Sequence, residues 1–259
     1  MDIGTYLAAS SGVLQMKKLE VQNNNLANIS TVGFKGQYVV VDSQNFNNTL
    51  ASTMDEFDPY GQADQERLKG VADVRTQIDF SMGPIQQTGN PLDVALRSPN
   101  EFFVVQTPEG DRYTRAGNFS LSPTGELVTA DGYKVQGDGG PILAQAPGVT
   151  ILPNGNVTAG PAIGGVPNIV GRLRVVRFDD TSQLRSVEGT RFKAPDGQQP
   201  VSVETLIEPQ SLEMSNVSAI SGMVDLISTN RAFQAYTKAA QTLDSLNQVA
   251  VSQVGRRQE

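Results

Sequence analysis

Side chains able to do acid–base, nucleophilic or metal chemistry are scarce in this chain of 259 residues, which contains neither histidine nor cysteine. Without histidine there is no Ser-His-Asp or Cys-His constellation and no His-containing zinc site. Without cysteine there is no disulfide and no thiolate zinc site. Carboxylates remain, because a glycosidase needs only two of them, one to protonate the leaving group and one to act as base or nucleophile. The candidate pairings are Asp179-Asp180 and Asp55-Glu56-Phe57-Asp58, and both sit in turn-like or polar surroundings that leave the acids solvated. Aromatic residues make up 6% of the chain and tryptophan is absent, so platforms for stacking sugars are few. The Gly137-Asp138-Gly139-Gly140 run invites a phosphate-loop reading, but such a loop opens directly into a helix. Here Pro141 and a strand-like run follow, so a β-turn is expected. The expectation is therefore no catalytic site, no cofactor and no bound metal.

Composition narrows the partners as well. Lys and Arg total 20 against 27 Asp and Glu, a net charge of −7. That balance offers no basic surface to a phosphate backbone, so nucleic acid is not an expected partner. No apolar run approaches the roughly 20 residues of a membrane span. The opening Met1-Asp2-Ile3-Gly4-Thr5-Tyr6 lacks a basic stretch followed by an apolar core, so no Sec-type signal is expected.

The elements are of two kinds. Leu7, Leu14 and Val21 recur at seven-residue spacing, with Leu19 and Leu26 as a second row. Leu226, Phe233 and Ala240 repeat that spacing near the other end, followed by Leu243 and Leu246. Seven-residue apolar spacing lets a helix hold one seam against a partner helix. A first helix is predicted from about Ile3 to Asn28, weakened by Ser10-Ser11-Gly12 and Asn23-Asn24-Asn25. A second is predicted after Val217, with Ser215 or Asn216 as its cap. Between them the chain reads as short strands, among them Ile78–Phe80, Leu92–Leu96, Phe102–Gln106 and Leu173–Phe178. Turn signals at Glu109-Gly110, Thr124-Gly125, Asp131-Gly132, Asn154-Gly155 and Asp196-Gly197 separate them. The predicted class is α+β: N- and C-terminal helices pair into a coiled-coil-like domain, and a central all-β domain hangs between them. The predicted parts are residues 1–33, a linker or bridging stretch at 34–77, the β domain at 78–211 and the C-terminal part at 212–259.

Three blocks of this sequence resemble the bacterial flagellar rod and hook proteins. The first is Asn24-Asn25-Leu26-Ala27-Asn28-Ile29-Ser30-Thr31-Val32-Gly33-Phe34-Lys35. The last is Leu212-Glu213-Met214-Ser215-Asn216-Val217, followed by Met223–Ile227 and Asn230-Arg231-Ala232-Phe233. The middle block runs Thr88–Leu96, Phe102–Val105, Tyr113–Phe119 and Gly125–Val128. Together they cover both ends and roughly half the middle. Within the family, Gly139–Ile142 leading to Val149–Gly155, and Val170–Leu173 before Phe178-Asp179-Asp180, are similar to the proximal rod component; the distal rod component is the near alternative. Gly222 and Gln234 depart from the family pattern, in which acidic residues are frequent at both places.

The resemblance implies a structural subunit that leaves the cytoplasm unfolded through the flagellar type III export apparatus. It would assemble in the periplasm with other rod proteins and copies of itself into a hollow helical shaft that transmits torque. Its terminal helices would be largely disordered in the monomer and order on assembly. The implied assembly interface includes the seam residues Leu7, Leu14, Val21 and Leu26, with Ile220, Val224, Ile227, Phe233 and Leu243 opposite. It also includes Asn24, Asn25, Asn28, Gly33 and Phe34 of the N-terminal signature, and Asn216, Val217 and Arg231 of the C-terminal one. The Asn side chains carry two readings: closing the helix and shaping the turn, or bonding a neighbouring subunit. An extracellular β-domain binding module on a helical stalk is the other class; it would show longer heptads and leaves the three blocks unexplained.

Overall fold

The computed structural model describes residues 3–42, 73–145, 148–160, 168–195, 197–198 and 200–255. The chain falls into two compact units, one of Met1–Leu26, Gln37–Gln77 and Ala219–Glu259, the other of Ala27–Gly36 and Ile78–Ser218.

The first unit holds helix α1, Ile3–Ala27, and helix α2, Ala219–Gly255, together with a two-stranded sheet of Gln37–Asp42 and Asp73–Ile78. α1 carries its weak Ser-Ser-Gly and Asn-Asn-Asn runs inside the helix and closes one residue before Asn28, whose carbonyl accepts from Thr31 N at 3.1 Å. Asn25 turns its side chain back on the outgoing chain: its Nδ2 donates to Gln37 O at 2.7 Å, and its Oδ1 accepts from Gln37 N at 2.9 Å. α2 opens later than the sequence suggests. Its first residue is Ala219, so Ser218 holds the N-cap position, while Ser215 Oγ accepts from Val217 N, ahead of the helix. Asn216 is no cap either, because its amide is used inside the second unit.

α2 has two unlike sides. Gly222, Leu226, Thr229, Phe233 and Ala240 recur every three, four or seven residues, the period of one helical face. Thr229 is buried and the others half-buried. At Gly222 a Cβ would lie 3.9 Å from Leu26 Cδ1, so the end of α1 meets the start of α2 here. On α1, Val21 is buried and Leu14, Leu19 and Leu26 are half-buried.

The second unit is antiparallel β. Its main sheet has ten strands. The path runs Arg185–Val187, Arg191–Lys193, Gly110–Thr114, Glu101–Thr107, Lys134–Gly137, Leu127–Val128 and Ser120–Leu121. Gly140–Pro141 pairs with Lys134–Gly137, so the glycine cluster is a turn between two strands, as its flanking proline suggested. Val175–Arg177 joins Glu101–Phe103 on one side and Val201–Ser202 on the other. Smaller ladders pair Ile207–Pro209 with Val94–Leu96, and Ser211–Glu213 with Ile85–Gln87. The Asp131-Gly132 and Asn154-Gly155 signals both close hairpins, with each glycine at φ +82°, where a side chain is disfavoured. The expected strand Ile78–Phe80 ends at Ile78; Phe80 lies beyond it and is buried.

The central strand Glu101–Thr107 is buried from Glu101 to Val105, and its period of two divides the core. Phe102 and Val104 join Phe80, Tyr113, Val176, Phe178, Leu184 and Phe192. Phe103 and Val105 join a second cluster that includes Val94, Leu96, Phe119, Leu127, Val135, Leu173 and Ile207. The aromatic rings of the first cluster meet edge to face: Phe102 lies 5.5 Å from Phe80, 5.7 Å from Phe178 and 5.8 Å from Phe192 between centroids.

Candidate assembly surfaces

One side of α2 is apolar and uncovered. Ile220 is 79% exposed, Met223 54%, Val224 60% and Ile227 52%. Their spacing of three, four and seven residues makes them one stripe, and it lies on the face opposite Gly222, Leu226, Thr229 and Phe233. Four large apolar side chains in one stripe are what a partner helix covers. Arg231 continues the same side and is exposed. Phe233, with Leu226 and Ala240, is on the side that the chain itself covers, whereas Ile220, Val224 and Ile227 face away from it. The physical reason is periodicity: a helix can carry two apolar rows, and spacing alone does not say which one its own chain will cover.

The segments that follow α1 and precede α2 are built into the β unit. Residues 28–36, which follow α1, and residues 211–218, which precede α2, meet there. Gly33 N donates to Glu213 O at 2.8 Å, and Gly36 N to Asn216 Oδ1 at 2.7 Å. Asn216 Nδ2 donates to Asp79 O at 2.9 Å. Gly33 sits at φ +68°, and a Cβ there would fall 2.3 Å from Ala116 N, so only glycine lets this turn close on strand Gly110–Thr114 and the residues after it. Phe34 is buried beside it.

A charged cluster lies under this turn. Lys35 Nζ donates to Glu213 Oε1 at 2.7 Å and to Ser81 O. Arg115 Nε donates to Glu213 Oε2 at 2.8 Å, and Arg115 Nη1 to Glu101 O at 2.7 Å. Gly83 N adds a third donor to the carboxylate, at 3.0 Å from Oε1. All three charged side chains are 0% exposed. Burial pulls the Lys35 ammonium below its usual pKa, and the Glu213 carboxylate opposes that fall; burial also lowers Arg115, again opposed by Glu213. Lys35, Arg115 and Glu213 stand in the three signature blocks, yet sequence reasoning did not single them out. Lys35 and Glu213 are 178 residues apart, and no periodicity links them.

The remaining sequence-predicted positions are distributed as follows. Asn25 and Asn216 spend their amides within the chain, Asn28 Oδ1 accepts from Thr31 Oγ1 at 3.1 Å, and Val217 is half-buried. Asn24 is exposed on α1. Leu7 and Leu243 belong to α1 and α2, and their side chains lie outside the described residues. Among the carboxylate pairs, Asp55–Asp58 also lies outside them. Asp180 accepts from Ser182 N at 2.9 Å, and the hydrogen bonds of Ser182 hold its carboxyl below the usual range. Asp179 is exposed, 3.9 Å from Arg177. Neither acid is desolvated as a general acid at neutral pH has to be. Among the described residues no helix is long and apolar enough to cross a membrane.

The sequence matches known families. Residues 99–159 match the flagellar hook protein FlgE/F/G D1 domain, and residues 208–253 match the flagellar basal body rod FlgEFG protein C-terminal family. The second match spans the strand carrying Glu213 and most of α2. Over nearly its whole length the chain is 32% identical to the flagellar basal-body rod protein FlgF of Caulobacter vibrioides, covering 99% of each. It is 32% identical to FlgG of Bacillus subtilis, over 93% of this chain and 97% of that one. It is 31% identical to FlgF of Salmonella typhimurium, over 94% and 95%. The chain belongs to the flagellar basal-body rod protein family.

Proposed function

We propose that this chain is the FlgF-like, proximal subunit of the flagellar rod, a building block and not an enzyme. The observation that carries the reading is the apolar stripe of α2, which lies opposite the side that its own chain covers. A helix with one side used internally and the other apolar side open is half of an interface. Copies of the chain and other rod proteins cover the open side, and α1 and α2 pair in a coiled-coil-like manner to form the tube. Heterologous contacts that do not close into a ring stack subunits into a helical shaft. Torque passes through those contacts. The subunit reaches the periplasm through the flagellar export apparatus, without a cleaved signal, and neither nucleic acid nor a small-molecule substrate takes part.

The FlgF-like runs at Gly139–Ile142, Val149–Gly155 and Phe178–Asp180 favour the proximal position over the distal, FlgG-like one. The FlgG relatives are about as similar, so position is the part that experiment has to decide. A photo-crosslinker at Ile227 in living cells, with partners identified by mass spectrometry, tests both levels. Crosslinks to rod components are expected, and the neighbours' identities separate proximal from distal. Crosslinks only to unrelated proteins, or none despite full expression, would overturn the rod reading. Leu14→Asp is expected to block assembly while the β unit stays folded.

A further inference from the structure

We infer that Lys35, Arg115 and Glu213 form a registration lock, which selects one placement of the two helix-bearing segments on the β unit. The backbone ladder and apolar burial at the same place are poor at that selection, and the Asn216 amide, bonded to Gly36 N and Asp79 O, is a neutral group that supports it without a buried charge. The ladder of Ser211–Glu213 on Ile85–Gln87 uses backbone groups that every residue offers. A slip by two residues would keep both the hydrogen bonds and the faces of that ladder. Burial of Phe34 is non-directional and tolerates small shifts. The ionic cluster tolerates neither. A two-residue slip would bring Ser211 or Ser215 to the place of Glu213, leaving the Lys35 and Arg115 charges buried with no counter-ion.

The cluster's worth is selective more than absolute. Removing three charges from water costs about what their pairing returns, so a well-packed apolar replacement is close to neutral in stability. Slipped states, by contrast, carry a full unpaired charge. Lys35 and Arg115 are thus positioning residues that act through Glu213. They set where the chain enters the β unit after α1 and where it leaves toward α2. Only the motility part of the test below rests on the rod reading.

The test uses the full chain with Lys35→Met, and separately with Lys35→Met, Arg115→Leu and Glu213→Met combined. In the single variant Glu213 keeps Arg115 and Gly83 N, so the fold survives. Thermal unfolding, amide exchange at Gly33 and Gly36, and swimming of a deletion strain carrying each variant are measured. The expected result is a combined variant that unfolds at or above the parent's midpoint. Both variants should lose exchange protection at Gly33 and Gly36 by about tenfold or more, and neither should restore swimming. Unchanged protection in both variants would overturn the lock. So would lost protection with normal swimming. A combined variant that unfolds, beside a Lys35→Met chain with full protection and swimming, would reduce the cluster to ordinary stabilisation and overturn it too. A deletion strain that swims without the chain would sink the rod reading and leave the exchange result to judge the lock alone.

Discussion

Strand Glu101–Thr107 and helix α2 are both two-sided, and they differ in what covers their second side. The strand sends Phe102 and Val104 into one cluster and Phe103 and Val105 into another, and the chain fills both. α2 sends Leu226, Thr229 and Phe233 toward its own unit but leaves Ile220, Met223, Val224 and Ile227 more than half exposed. Burying each such side chain fully is worth about 1.5–3 kcal/mol, which is what a neighbour covering the stripe, as proposed above, would gain. Both faces of the strand are covered by the chain, whereas one apolar side of α2 is exposed. That division suits a subunit whose rigid part is made once and whose joints are made on assembly.

The comparison breaks if the β unit turns out to be soft. Glu213→Gln leaves Lys35 and Arg115 buried beside a neutral group and should cost about 3–5 kcal/mol in urea unfolding of the β unit. A loss under about 1 kcal/mol would mean that water reaches the cluster. Phe102→Ala removes three ring contacts from the core and should cost a similar ~3–5 kcal/mol by the same measurement.

Smaller changes sharpen it. Gln210 holds φ +54° between two ladders, a conformation glycine adopts freely, so Gln210→Gly should stabilise the β unit by about 1 kcal/mol. A destabilised variant would show that the Gln210 side chain contributes more than its backbone strain costs. Gly222→Ala places a methyl at ordinary contact distance from Leu26 and removes a helix-interior glycine. It should raise helix stability by about 0.5–1 kcal/mol in circular-dichroism melts, and a fall would mean that the α1–α2 contact is tighter than 3.9 Å allows. Ile227→Asp is the smallest change for the isolated chain, within about 0.5 kcal/mol, because the site is already exposed. The same substitution should abolish assembly into rods, judged by co-purification with basal bodies. Normal assembly would show that the stripe is not an interface.

Much of the architecture is legible in the residues. Phe102-Phe103-Val104-Val105 reads as a short strand, and Asp131-Gly132 and Asn154-Gly155 read as turns between strands. The seven-residue rows read as helices at both ends. The start of α2 is less legible, since Ser215 and Asn216 are good caps by type, and only the competing bonds of Asn216 to Gly36 and Asp79 show why it is not one. Of the candidate site, the open stripe was visible as Ile220, Val224 and Ile227, but its role as the uncovered row was not. The Lys35–Arg115–Glu213 cluster had no local signal at all.

Element type and facing are local properties, because backbone geometry repeats every two or every 3.6 residues and stamps that period on the side chains. The sequence by itself determined those, along with the lack of histidine and cysteine chemistry. Which of two apolar rows the chain would cover, and which carboxylate would meet Lys35 across 178 residues, were decided only by the tertiary structure. Burial and charge pairing depend on what lies opposite in space, and the spacing of residues along a chain does not encode that.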